Sequence, residues 1–216
     1  MTTSSEDIPL TDFQLTVARL FFSLPASDGF VLAGGAALIA QHLTSRPTQD
    51  LDFFTDRQPD VVVARDELIA AANERGWAVK TLRDSETFCR LQVTGPEDLL
   101  VDIALDAQPD QPPTMSLAGP TYAPRELAAR KVVALFDRYA ARDFVDVFAL
   151  TRTYSKAGLL EWASDLNPGF HQPYFIQALD ALPRYTDADL SLGDVDISAL
   201  RAFFSEWADE LRLDRA

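Results

Sequence analysis

Apolar and polar positions recur with two different periods along this chain. Up to about residue 105, short alternating runs lie between longer runs with a period near 3.6; beyond residue 124 only the longer period remains. Asp12 is placed to cap a helix running to about Ser23, with Phe13, Val17, Leu20 and Phe21 on its apolar side. Residues 25–29 read as a turn, 30–32 as a short strand, 36–43 as a helix, and the stretch around Asp50 and Asp52 as a further strand. Residues 59–75 read as a helix, with Val62, Ala64, Leu68, Ile69 and Ala72 available for packing and Gly76 placed to end it. Two strands, 77–82 and 87–93, are joined by Arg83-Asp84-Ser85-Glu86, and the apolar run 99–105 reads as a buried strand.

Residues 107–124 hold five of the thirteen prolines and show no apolar periodicity. Proline removes backbone donors and restricts its neighbours, so this stretch reads as a connector and a domain boundary. Helices are then expected near 124–139, 143–153, 156–165, 172–182 and 196–213, with acidic residues 187–196 as a surface loop. The expected fold is α/β (α+β): a mixed sheet with helices over residues 1–106, a Pro-rich connector at 107–123, and an all-helical half from 124 to 216 as the other wall of a cleft.

At 216 residues, with 47% hydrophobic and 24% charged residues, the chain can bury a sizeable core. No run of about 18 apolar residues occurs, which excludes a membrane helix. The first residues lack a basic segment followed by an apolar core, so no secretory signal is expected and the cytoplasm is the expected compartment. Cys89 is the single cysteine, which excludes an internal disulfide, and alternation places it with Leu91 and Val93 on a core face. The net charge of −14 argues against general nucleic-acid binding, although residues 125–156 carry seven basic and four acidic residues, a local excess of +3.

The chemistry concentrates between Ala33 and Phe54. Gly34 and Gly35 let the backbone approach a ligand closely, and the helix start that follows offers N–H groups to an anion such as a phosphate. Strand side chains alternate faces, so Asp50 and Asp52 point the same way, roughly 7 Å apart along the chain. Two carboxylates held together repel unless a cation sits between them, and Mg²⁺, with Mn²⁺ as a substitute, suits a site of carboxylates plus phosphate oxygens. Asp102 interrupts the apolar run 99–105, and burying a lone ionised acid costs several kcal/mol by order of magnitude, so it needs a partner or a shared metal. Each feature alone has a plain reading, a tight turn or a solvated acid pair; their combination points to nucleotide chemistry.

Gly-Gly, helix, Asp-x-Asp and a later lone acid on a strand resemble the nucleotidyltransferase superfamily of the DNA polymerase β type. The fuller Arg46-Pro47-Thr48-Gln49-Asp50-Leu51-Asp52-Phe53 resembles the AbiEii/AbiGii-type (MenT-like) nucleotidyltransferase toxins of bacterial toxin–antitoxin systems. Lys131 followed by Arg142-Asp143-Phe144-Val145-Asp146 is similar to that family's second motif. By itself Lys131, between Leu127 and Leu135, could as well snorkel to solvent. Asp143 reads as a helix N-cap, and Asp146 could pair with Arg142 on a helix surface.

The resemblance implies a metal-dependent transfer of NMP from an NTP, a pyrimidine such as CTP, to the tRNA 3′ end, arresting translation. It implies Asp50, Asp52 and Asp102 at two metal ions, with Gly34, Gly35, Thr48, Lys131 and Arg142 at the nucleotide and Asp146 as a second functional acid. It also implies a cognate antitoxin that silences the toxin by phosphorylation at Thr48. The alternatives are an aminoglycoside-type nucleotidyltransferase on the same fold and an inactive nucleotide- or partner-binding module. His42, His171 and the three tryptophans carry no ligand spacing and read as surface and core residues respectively.

Overall fold

The computed structural model describes residues 10–213. The chain divides into two compact units, one of Met1–His42 with Pro47–Pro124 and the other of Leu43–Arg46 with Arg125–Ala216.

The first unit is built on a seven-stranded mixed sheet. Its strands are β1 (Val31–Ala33), β2 (Asp50–Thr55), β3 (Ala78–Asp84), β4 (Phe88–Thr94), β5 (Asp98–Leu105), β6 (Thr114–Ser116) and β7 (Gly119–Thr121). Their order across the sheet is β3-β4-β5-β2-β1-β7-β6. β2 runs parallel to β5 and β1 parallel to β7, while the remaining pairs are antiparallel. Period-two alternation buries Leu51, Phe53 and Thr55 of β2 and Cys89, Leu91 and Val93 of β4. Helices α1 (Asp12–Phe22) and α3 (Gln58–Glu74) supply the facing layer. Phe21 of α1 stacks on Phe53 at 3.9 Å between ring centroids, with Phe22 and Phe30 edge-on around them.

Several local expectations are corrected. Thr11, not Asp12, caps α1: its hydroxyl accepts from the Gln14 N–H and the Gln14 side chain accepts from the Thr11 N–H, a reciprocal pair that Asp12, one residue too late, does not make. The second helix, α2 (Gly34–Ala40), starts and stops earlier than read, because the chain leaves the helix at Gln41 and turns at His42 with φ 56°. β3 continues to Asp84 rather than ending at residue 82. Residues 107–123 are more than a connector. They fold into the β6–β7 hairpin, which adds to the sheet through β1 with Leu32 opposite Thr121. Pro120 opposes Met115 on β7, a strand only three residues long, too short to carry an apolar signature.

The second unit is helical: α4 (Pro124–Arg138), α5 (Ala141–Leu150), α6 (Lys156–Leu166), α7 (Gln172–Leu179), α8 (Asp187–Leu190) and α9 (Ile197–Leu213). Its core gathers Phe144, Phe175, Phe204 and Trp207, the last packed by Phe175 and Phe203. Three readings change here. Residues 187–196 contain the short helix α8, closed by a capping box between Thr186 and Asp189. α7 stops at Leu179 and gives way to a 3₁₀ turn at Leu182–Arg184. Asp143 is not the N-cap of α5, since Ala140 occupies that place and makes no side-chain cap. Asp143 sits in the first turn, and its carboxylate is used elsewhere.

Candidate active site

Strand alternation leaves Asp50, Asp52 and Phe54 half-buried on the sheet face opposite α1 and α3. Register then sets their neighbours. Asp52 lies directly beside Asp102 across the parallel β2–β5 pair, Asp102 beside Arg90 across the antiparallel β4–β5 pair, and Asp52 beside Ala33 on its other flank. One row of the sheet thus reads Arg90, Asp102, Asp52, Ala33; the next reads Gln92, Leu100, Asp50. Directly opposed residues share a face, so the three acids named from sequence lie on one face of two adjacent strands.

Gly34 follows Ala33 with φ 62°, and a Cβ there would collide with Oδ2 of Asp52. Glycine is required twice over at this position, for the left-handed backbone and for the space the Asp52 carboxylate fills. Gly35 is buried in the first turn of α2. Thr48 precedes the strand, yet its hydroxyl donates to Oδ1 of Asp50 at 2.7 Å, and Gln14 Nε2 holds the Thr48 carbonyl at 2.8 Å. Thr48, Gln49, Gln92 and Leu100 contribute to the wall of a cavity of about 300 Å³.

Asp102 is 5% exposed, and the partner that its burial demands is Arg90. The guanidinium grips the carboxylate with both prongs, Nε to Oδ1 at 2.7 Å and Nη2 to Oδ2 at 2.5 Å. This hydrogen-bonded pairing raises the Arg90 pKa despite partial burial, with smaller electrostatic contributions from Asp102, Asp50 and Asp52. Among the described residues no three His, Cys, Asp or Glu side chains converge closely enough to hold a metal ion, so the triad is not assembled as a three-ligand cage. By donor chemistry the residues still fit a small hard cation: carboxylate oxygens on one face, beside a glycine whose missing Cβ leaves room for Asp52. Asp102, the third of them, is neutralised by an arginine.

The second motif forms a separate cluster inside the helical unit. Lys131 is 7% exposed, and its Nζ lies 3.0 Å from Oδ2 of Asp146 and 3.4 Å from Oδ1 of Asp143. The snorkelling reading is therefore wrong, since the ammonium ends among buried carboxylates and not in solvent. The surface reading of Asp146 fails as well. Asp146 is fully buried and is bridged by Arg46, Nε to Oδ1 at 2.9 Å and Nη2 to Oδ2 at 3.0 Å, with the Thr44 hydroxyl at 3.4 Å. Asp143, also fully buried, takes Arg138 through both prongs at 2.7 and 2.8 Å. Burial alone would raise the Asp146 pKa, but the Lys131 charge, the hydrogen bond and charge of Arg46 and the hydrogen bond from Lys131 outweigh it and hold the carboxyl low. Arg142 lies exposed in the first turn of α5.

Two residues that sequence reasoning passed over thus stand at the centre of the two clusters. Arg46 was seen only as the first letter of a motif. Arg90 was legible as the polar position of an alternating strand whose apolar residues are Cys89, Leu91 and Val93. Cys89 itself is buried, and burial together with the Asp84 charge raises its thiol pKa to about 11, which rules out a ready nucleophile.

The chain matches the family model described as nucleotidyl transferase AbiEii toxin, type IV toxin–antitoxin system, over residues 18–167. No curated protein sequence matches it. Two Helicobacter pylori structures superpose with TM-scores of 0.63 and 0.61 at 17% and 18% identity, each over 95% of this chain and over 97% and 94% of theirs; the second is JHP933. MenT4, a nucleotidyltransferase toxin from Mycobacterium tuberculosis H37Rv, superposes with a TM-score of 0.60 at 17% identity over 94% of this chain and 90% of its own. At such identities the superpositions establish the fold, and the family match extends over the acid strands and both motifs. A nucleotidyltransferase of this family acts on an NTP, generally with a divalent metal, and is paired with an antitoxin. The chain belongs to the AbiEii family of nucleotidyltransferase toxins.

Proposed function

We propose that the protein transfers NMP from an NTP, a pyrimidine triphosphate such as CTP, to an acceptor hydroxyl at the 3′ end of tRNA, and so blocks translation. The observation that carries this reading is the group of carboxylates Asp50, Asp52 and Asp102 on one face of β2 and β5, beside Gly34, whose left-handed backbone and close approach to Asp52 require a glycine. Asp50 and Asp52, with Asp102, would hold Mg²⁺ or Mn²⁺, which supplies charge neutralisation at the transferring phosphoryl group. Thr48 orients Asp50 through its hydroxyl, and Gly34 and Gly35 are assigned to the phosphates by the family's motif. Lys131 is assigned to the phosphates by its motif.

The antitoxin is proposed to act at Thr48. A phosphate there would add about −1.5 to −2 charge and replace the hydrogen bond to Asp50 with repulsion, which stops transfer. Mass spectrometry of protein co-expressed with the neighbouring antitoxin gene tests this; inhibition with unmodified Thr48 would refute it. The transfer itself is tested by incubating the protein with each labelled NTP, Mg²⁺, and either total bacterial RNA or an aminoglycoside panel. Label entering tRNA supports the proposal, label entering only the aminoglycosides replaces it with small-molecule modification, and no transfer to any acceptor leaves a binding module.

A further inference from the structure

We propose that Arg90 is the internal counter-ion of the acid row and sets its affinity for a divalent cation, because its guanidinium engages both Asp102 oxygens that a cation would draw on. The inference rests on the acid row being the cation site, and goes beyond that reading by assigning a residue that the family's motifs leave out. Four observations carry it. Asp102 is almost fully buried, so its charge must always be matched. The match in this structure is a two-pronged pair with Arg90. The register places Arg90, Asp102 and Asp52 in one row, so that the guanidinium flanks the same carboxylates that a cation would bridge. The Arg90 side chain is 43% exposed against 7% for Asp102, and its guanidinium also lies 5.9 Å from the Phe88 ring on the same strand face. Arginine can therefore swing away on its flexible stem, while Asp102 stays fixed in its strand.

Two cations of different kinds thus compete for one carboxylate. Without a divalent ion the guanidinium keeps the buried acid satisfied and the sheet intact. With one, Asp102 exchanges a hydrogen-bonded partner for a metal–oxygen contact, and the freed guanidinium remains solvated at the edge of the site. Arg90 is in this sense a positioning residue: it acts through Asp102.

The test is the affinity of the full chain for Mn²⁺, read by electron paramagnetic resonance of the free ion, with thermal melts on the same samples. Arg90→Gln removes the competitor, so Mn²⁺ should bind about tenfold more tightly (~1.4 kcal/mol). Its metal-free melting temperature should fall, and Mn²⁺ should raise it by more than in the parent protein. Arg90→Lys keeps the charge but loses the fork, and should bind Mn²⁺ with an intermediate affinity; it decides the matter if Arg90→Gln does not fold. Affinity equal to or weaker than the parent's in the folded variants overturns the proposal and leaves a structural ion pair. Asp52→Asn separates the underlying reading: if it binds Mn²⁺ as the parent does, the acid row is not the cation site and both ideas fall. If it loses Mn²⁺ while Arg90→Gln is unchanged, only the role of Arg90 is lost.

Discussion

Replacing Arg46 by alanine should unfold the helical unit more readily than any surface substitution, because it strips the two-pronged partner from a fully buried carboxylate. Removing one member of a buried ion pair costs about 3–5 kcal/mol, most of it the burden of the charge left behind. Here Lys131 stays 3.0 Å from Asp146 and keeps part of the compensation, which places the expected loss near the lower end, ~3 kcal/mol. Against a total stability of about 5–15 kcal/mol that is a large fraction, equivalent to a fall in melting temperature of roughly 6–12 °C. Arg46→Lys restores charge without the fork and should recover about half of it. The double variant Arg46→Met with Asp146→Leu should recover only part of it, since the buried Lys131 then keeps Asp143 alone, at 3.4 Å, as its carboxylate partner. Urea unfolding followed by far-UV circular dichroism and by the fluorescence of Trp207, buried in this unit, measures all three against the parent protein. A loss under about 1 kcal/mol for Arg46→Ala would put the pair in the class of exposed salt bridges and refute the reasoning.

Asp50→Ala and Asp52→Ala should each abolish transfer while the thermal melt stays close to the parent's, and near-normal turnover in either would show that the acid face is not the active face. Gly34→Ala combines a left-handed backbone, worth about 1–2 kcal/mol against a residue with a Cβ, with a clash against the Asp52 carboxylate; lowered stability and lost activity together are expected, and an unaffected enzyme would contradict the close approach. The depressed Asp146 carboxyl binds fewer protons in the folded state than in the unfolded state. Its contribution is therefore complete above the unfolded value of about 3.9 and is lost as pH falls through the lower folded value. A pH series of melts should show this acid-side decline, and Asp146→Asn, less stable at neutral pH, should show less of it.

Much of this protein was legible without its structure, and the reason is local. Alternation along β2 is a property of any extended strand, so that Asp50 and Asp52 share a face followed from their spacing alone, as did the burial of Cys89, Leu91 and Val93. The helix-only second unit followed from its 3.6-residue period. What failed was decided by partners far away in sequence. Asp102 was known to need a counter-ion, but only the antiparallel register of β4 with β5 selects Arg90. By local pattern alone Lys131 and Asp146 could as well have been surface residues of neighbouring helices; a residue a hundred positions earlier, Arg46, closes over the same carboxylate and excludes that. The β6–β7 hairpin has no amphipathic signal, because its three-residue strands exist through pairing with each other and with β1. Periodicity is written residue by residue, whereas the pairing of buried charges depends on which backbones the fold sets side by side, and low dielectric enforces that pairing only once the fold exists.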